Sequence, residues 1–118
     1  WVISDRYMDS TIAYQGGGRQ IDLKKILETA SILNLPEPSL TLLFDLPIDV
    51  ALERAKQRGN LDRFEREPEV FHQRIRDSYL SLSKLHPSRI KVIDSSQSKE
   101  DVEFQLLETL NLFFKANG

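Results

Sequence analysis

The chain has 118 residues, 40% hydrophobic and 29% charged, with a formal net charge of −2, the size and ordinary composition of one water-soluble domain with a modest core. That charge excludes a global electrostatic pull toward nucleic acid or an anionic membrane, and the absence of cysteine excludes both a disulfide framework and a thiolate metal site. No apolar run approaches the roughly 20 residues of a membrane span and no signal peptide is visible, so a cytoplasmic location is expected.

Trp1-Val2-Ile3 is a short apolar run that suits a buried strand cut off by polar residues. A start already inside a strand pattern is expected of a fragment rather than of a native amino terminus. Asp5 and Arg6 follow where that strand would end, and parallel α/β sheets bind ligands beyond the carboxyl ends of their strands. Asp5 suits a magnesium ion, a hard cation that takes oxygen ligands. Arg6 suits a phosphate, because its planar guanidinium offers two parallel donors. The bland alternative is a strand-end turn with a surface ion pair. Ser10, Thr11, Tyr14 and Gln15 come next, spaced so that one helical face carries Arg6, Ser10 and Tyr14. For any one of them a plain polar helix face is the commoner outcome. Gly16-Gly17-Gly18 is expected to break this helix, and Arg19 just beyond it is a second-rank phosphate ligand or cap.

Ile21 to Leu35 reads as a helix with Asp22 near its start, since Leu23, Ile26, Leu27, Ala30 and Leu33 recur at helical spacing. Pro36 and Pro38 prevent its continuation. Leu40 to Leu46 is nearly continuous apolar sequence, as in a strand buried on both faces of a parallel sheet. Asp45 is its exception, a structural acid rather than a catalyst, and Pro47 stops it. A second helix begins near Asp49, buries Ile48, Ala51, Leu52 and Ala55, and takes Gly59 as its carboxyl cap.

Arg54, Lys56, Arg58, Arg63 and Arg66 outnumber Asp62 and Glu65 in the arm that follows. Such a run is usually a solvated surface; interrupted by Gly59 and Asn60, it reads as a mobile loop. A third helix starts near Pro68, a first-turn proline, carries Phe71, Ile75, Tyr79 and Leu82 on one face, and ends before Pro87. Arg89 to Asp94 reads as a strand, Ser95 to Ser98 as a turn, and Val102, Leu106, Leu107, Leu110, Phe113 and Phe114 line a final helix. His72 and His86 lack partners that suggest catalysis or metal binding. No repeat, linker or low-complexity segment is present. Strands alternating with helices argue for an α/β protein with a parallel sheet.

The string DRYxxSTxAYQGGGR at Asp5 to Arg19 resembles the deoxynucleotide-site signature of bacterial thymidylate kinases. LFDLP at Leu43 to Pro47 and AKQRGNLDRFE at Ala55 to Glu65 extend the resemblance along the chain. These residues match the carboxyl-terminal part of that family, and the phosphate-cradling P-loop motif GxxxxGKS/T is absent from the sequence. The resemblance implies a P-loop nucleoside-monophosphate-kinase-like three-layer sandwich, here a single partial domain over residues 1–118. Three strands are visible, and the central P-loop strand that would lie between those at Val2 and Leu40 is missing. Without it, backbone groups on both sides of the gap lose partners, so the segment alone is expected to be poorly stable or rearranged.

The implied reaction is phosphoryl transfer from ATP, with Mg2+, to the 5′-phosphate of dTMP, giving dTDP. By the same resemblance residues 5–19 form the dTMP-site helix. Asp5 sits near magnesium and phosphates through water, and Arg6 holds the dTMP phosphate. Ser10 and Thr11 face the thymine edge, and Tyr14 packs beside the sugar and disfavours a 2′-hydroxyl. Gln15 is a further substrate contact, and Tyr7 gives support. Residues from about 54 to 67 form an arginine-rich lid, with Arg58 and Arg63 over the transferring group and Arg54 and Arg66 behind them. Ser96, Gln97 and Ser98 fall in the adenine-binding turn, where mostly backbone contacts are made. The resemblance also implies a homodimer, with the Leu23 to Leu33 stripe able to serve as the contact or as ordinary core. The segment alone is expected to be inactive. Other readings stand beside this one: a related nucleoside or nucleotide kinase, or a non-catalytic nucleotide-binding or dimerisation module. An arginine-loop nucleic-acid binder is disfavoured by net charge and by the lack of a basic aromatic surface.

Overall fold

A computed structural model describes residues 1–117, and every side chain in that range except those of Arg63 and Phe64. Strand β1 (Thr41–Asp45) pairs in parallel with β2 (Ile90–Asp94), from Thr41 opposite Ile90 to Asp45 opposite Asp94. Parallel neighbours need a long crossover, and helices α3 (Ile48–Gln57), α4 (Leu61–Glu65) and α5 (Glu69–Leu85) supply it. Ahead of β1 stand α1 (Met8–Thr11), a π-helical segment over Ile12–Gly18, and α2 (Leu23–Ile32); α6 (Lys99–Asn117) follows β2. The α/β class and the parallel sheet are as expected.

Local chemistry explains most of the element ends. Asp22 caps α2 by accepting from Lys24 N at 3.0 Å. Asn34, at φ 52°, closes it in a left-handed cap, with Leu35 N bonded to Ala30 O at 3.2 Å. Gly59 does the same for α3 at φ 73°, with Asn60 N reaching Ala55 O at 2.8 Å. Pro68 stands immediately before α5, and Ser98 Oγ accepts from Asp101 N at 3.2 Å to start α6. The α2 boundaries are tighter than the Ile21 to Leu35 expected, because these caps, not the apolar stripe, set them.

Four expectations fail. Trp1-Val2-Ile3 is not a strand: Val2 and Ile3 are each 96% exposed, and among the described residues the sheet has two strands, not three. Three apolar residues with no neighbouring backbone to pair leave every donor and acceptor to water, so the pattern alone cannot hold a strand. The Trp1 ring instead meets Phe113 and Phe114 edge-on, with centroids 5.9 and 5.4 Å away. Strand β1 is not covered on both faces either, since Phe44 is 51% exposed.

The third failure is the glycine run, which does not break the helix. It widens into the π-helical segment and packs against α5. A Cβ on Gly17 would run into Ser78, and one on Gly18 would lie 2.8 Å from Phe71 and 2.9 Å from Ile75. The glycines therefore let two backbones approach closely. Finally, the basic arm is not one continuous loop, since α4 occupies its centre.

The core lies at this seam. Ala13, Phe71 and Ile75 form its buried cluster, with Tyr14 and Tyr79 packed against it, while Ile90 and Ile93 are buried in β2. The expected face of α5 (Phe71, Ile75, Tyr79, Leu82) is thus the one turned inward. The apolar stripes of α2 and α6 include no buried residue.

Candidate functional site

The segment that packs on α5 also forms a cleft of about 500 Å³, lined by Arg6, Tyr7, Ser10, Thr11, Tyr14 and Gln15, with Met8 and Leu35 as apolar wall. Arg6 enters it from a left-handed backbone at φ 65°, its carbonyl accepting from Ser4 Oγ at 2.9 Å. Its guanidinium lies 4.9 Å from the centre of the Tyr14 ring and donates to the Tyr14 hydroxyl at 3.1 Å. Tyr14 is braced edge-on by Phe71 at 6.5 Å and Tyr79 at 6.4 Å. Ser10 Oγ and Tyr79 Oη are 2.6 Å apart. Burial pushes the Tyr79 phenol above its ordinary pKa, and the Ser10 hydrogen bond opposes that shift.

The cleft therefore unites Arg6, Ser10, Thr11, Tyr14 and Gln15, with Tyr7 as a wall. Asp5 is exposed and does not line it. Among the described side chains, Arg54, Arg58 and Arg66 of the arm are also elsewhere. Arg58 and Arg66 are exposed. Arg54 is half-buried and donates to the Ser95 carbonyl at 2.8 Å, tying α3 to the turn after β2. The Arg63 side chain lies outside the described residues. Arg19 pairs with Glu67 at 2.9 Å and lies 4.9 Å from the centre of the Phe71 ring, which pins the end of the glycine run to the start of α5.

In the turn after β2, Ser96 Oγ donates to Asp94 Oδ1 at 2.6 Å and Gln97 Nε2 to Asp94 Oδ2 at 3.0 Å. Those bonds, Ser96 first, hold the Asp94 carboxyl below the usual carboxylate range. Ser98 is the α6 cap. The side chains of Ser96, Gln97 and Ser98 thus shape the loop.

Several residues passed over in the sequence support the cleft. Arg89 pairs with Asp9, which immediately precedes Ser10. Arg74 donates to Gly18 O through Nε at 3.2 Å and Nη2 at 2.9 Å, satisfying a carbonyl at the end of the π-helical segment. Asp45 receives both prongs of Arg76 at 3.0 Å, which explains an acid inside an apolar strand. Among the described residues no group of three or more His, Cys, Asp or Glu side chains is placed to hold a metal, and no helix is long and apolar enough to cross a membrane.

A sequence model of the family described as thymidylate kinase matches residues 1–106. The chain belongs to the thymidylate kinase family. It is 42% identical over 106 residues to the thymidylate kinase of Pseudomonas syringae pv. tomato, covering 89% of this chain and 50% of that protein. To that of Carboxydothermus hydrogenoformans it is 45% identical over 117 residues (94% and 56%), and to that of Nitrosomonas eutropha 40% over 120 residues (100% and 55%). The chain spans about half the length of the curated relatives it matches. Thymidylate kinase membership implies the P-loop nucleoside-monophosphate-kinase fold, to which the parallel β1–β2 pair and its crossover helices conform.

Proposed function

We propose that the cleft binds dTMP and that the complete protein transfers the γ-phosphoryl group of ATP to the 5′-phosphate of dTMP, giving dTDP. The observation that carries this reading is the convergence of Arg6, Ser10, Thr11, Tyr14 and Gln15 on one cleft. Arg6 takes the dTMP phosphate, exchanging its hold on Tyr14 for a forked contact. Ser10, Thr11 and Gln15 meet the base, where a wrong base leaves polar groups unpaired. Tyr14 lies beside the sugar and excludes a 2′-hydroxyl.

A phosphate oxygen of dTMP attacks the γ-phosphorus and ADP leaves, so no protein nucleophile is required and the work is positioning and charge stabilisation. Arg58 and Arg63, backed by Arg54 and Arg66, close from the arm over the transferring group, and the turn at Ser96, Gln97 and Ser98 meets the adenine through backbone. Magnesium, carried with ATP, offsets phosphate charge when bound. Asp5 fits such an ion, because one exposed carboxylate suits magnesium that keeps several waters rather than a cage of protein ligands.

The donor phosphates would be cradled by residues outside these 118, in keeping with the share of its relatives that the chain spans. The complete protein is then a cytoplasmic homodimer that uses neither nucleic acid nor membrane as partner. Coupled detection of ADP with the complete protein tests this: turnover should require dTMP and fall about tenfold or more in kcat/KM with the ribose counterpart of dTMP. Equal use of both sugars would sink the thymidylate reading.

The same cleft residues, which bind rather than react, also fit one second reading, a non-catalytic nucleotide-binding module. Selective dTMP binding by calorimetry without any turnover in the complete protein would establish it.

A further inference from the structure

Tyr79 does not line the cleft, yet it touches two residues that do. It stands on α5, sixty-nine positions from Ser10 in sequence, with its phenol oxygen 2.6 Å from Ser10 Oγ. Its ring meets Tyr14 at 6.4 Å and 82°, and Tyr14 carries Arg6 on its face and on its hydroxyl. We propose that Tyr79 is a positioning residue of the cleft, which fixes the Ser10 hydroxyl as a donor toward the ligand and so favours a carbonyl-bearing pyrimidine edge over an amino-bearing one. This rests on the dTMP reading above.

The argument is one of proton placement. Two hydroxyls 2.6 Å apart share one proton along their axis. A phenol is far more acidic than an aliphatic hydroxyl, and a partly buried phenol left without an acceptor is costly. Tyr79 therefore donates and Ser10 accepts, which leaves the Ser10 proton free for the cleft. A carbonyl of the ligand satisfies that proton, whereas an amino group sets donor against donor. The edge contact with Tyr14 holds the neighbouring wall, so both arms of the cleft refer to one side chain on α5.

The test uses the complete protein, with Tyr79→Phe, Ser10→Ala and the double variant, assayed on dTMP and on dCMP. Phenylalanine keeps the ring against Tyr14 and the core, so Tyr79→Phe removes the hydroxyl alone. Each single variant should raise KM for dTMP about fivefold, more than it lowers kcat, and reduce the dTMP:dCMP preference by a similar factor. The double variant should lose no more than either single one, since the two hydroxyls act as one unit. If Ser10→Ala erodes the preference while Tyr79→Phe leaves it intact, the proposal falls. It falls equally if Tyr79→Phe lowers melting temperature and impairs both substrates alike, with additive losses in the double variant. A wild-type protein without dTMP-dependent turnover would overturn the underlying reading instead, and is seen before any variant is made.

Discussion

Arg89 grips Asp9 with both ends of its guanidinium, Nη1 lying 2.7 Å from Oδ2 and Nη2 3.1 Å from Oδ1. The two side chains are only 13% and 10% exposed. Thr41 Oγ1 adds a 3.3 Å bond to the same carboxylate, and Glu37 lies 2.9 Å from Arg89 Nε. The turn that carries Ser10 is thereby fastened to the starts of both strands, so the walls of the cleft are referenced to the sheet. The Asp9 hydrogen bond, above all, raises the Arg89 pKa further.

Removing one partner of such a pair leaves the other charge buried and uncompensated. Arg89→Met should cost about 3 kcal/mol in urea unfolding of the protein. Combining it with Asp9→Leu should recover much of the loss, because neither charge of the buried pair is then left uncompensated. A double variant as unstable as the sum of the singles would show that the pair carries no coupling.

The glycine run makes a graded prediction. A Cβ at Gly16 finds ordinary contact, 3.6 Å from Ile26, whereas one at Gly18 meets Phe71 at 2.8 Å and Ile75 at 2.9 Å. Gly16→Ala should be nearly neutral and Gly18→Ala should cost about 1–3 kcal/mol, the penalty of overpacking a filled core. Thermal unfolding of the two variants checks this; equal effects would mean that the seam with α5 can open freely.

That contrast also marks where sequence reasoning succeeds and where it stops. Helices α3, α5 and α6 and both strands were legible because periodicity and end signals such as Pro47, Gly59 and Pro87 are local. Arg6, Ser10, Thr11, Tyr14 and Gln15, five of the eight residues that line the cleft, could be singled out together because they fall in one string. Trp1 to Ile3 misled because an apolar run says nothing of whether a neighbouring strand exists to pair with it. Gly16 to Gly18 misled because glycine serves both chain flexibility and close packing, and only the position of α5 decides between them. Asp9 and Tyr79 were unreadable for a further reason. Their partners lie eighty and sixty-nine residues away, and each looks locally like a surface acid or one more core aromatic.

Arg6 combines strain with function. Its φ of 65° is a conformation that glycine adopts freely and arginine does not. Arg6→Gly should therefore leave stability within about 1 kcal/mol of wild type, relief of strain offsetting the lost contact with Tyr14. On the dTMP reading, kcat/KM should nonetheless fall about 100-fold or more, as when a preorganised charge donor is removed. Parallel measurement of urea midpoints and dTMP kinetics decides it. Loss of stability in step with activity would make Arg6 a structural residue first.

Tyr79 gives the pH prediction. Its pKa is raised, mainly by burial, with Tyr14 and Asp9 adding to the rise and the Ser10 bond and Arg6 opposing it. A folded-state value above the unfolded one means that the native protein holds the proton more tightly. The corresponding stability is complete below the ordinary tyrosine value of about 10 and is lost as pH climbs through the folded value. Wild type should thus lose more stability than Tyr79→Phe on the alkaline side of about pH 10. The difference between the two curves cancels the lysines and the other tyrosines. Once ionised, Tyr79 can only accept, so Ser10 turns its proton inward. Ser10→Ala removes that relief and should extend the loss to higher pH. Parallel wild-type and Tyr79→Phe curves would mean that the phenol titrates as freely in the native protein as in the unfolded chain, and that burial at the cleft wall does not hold its proton.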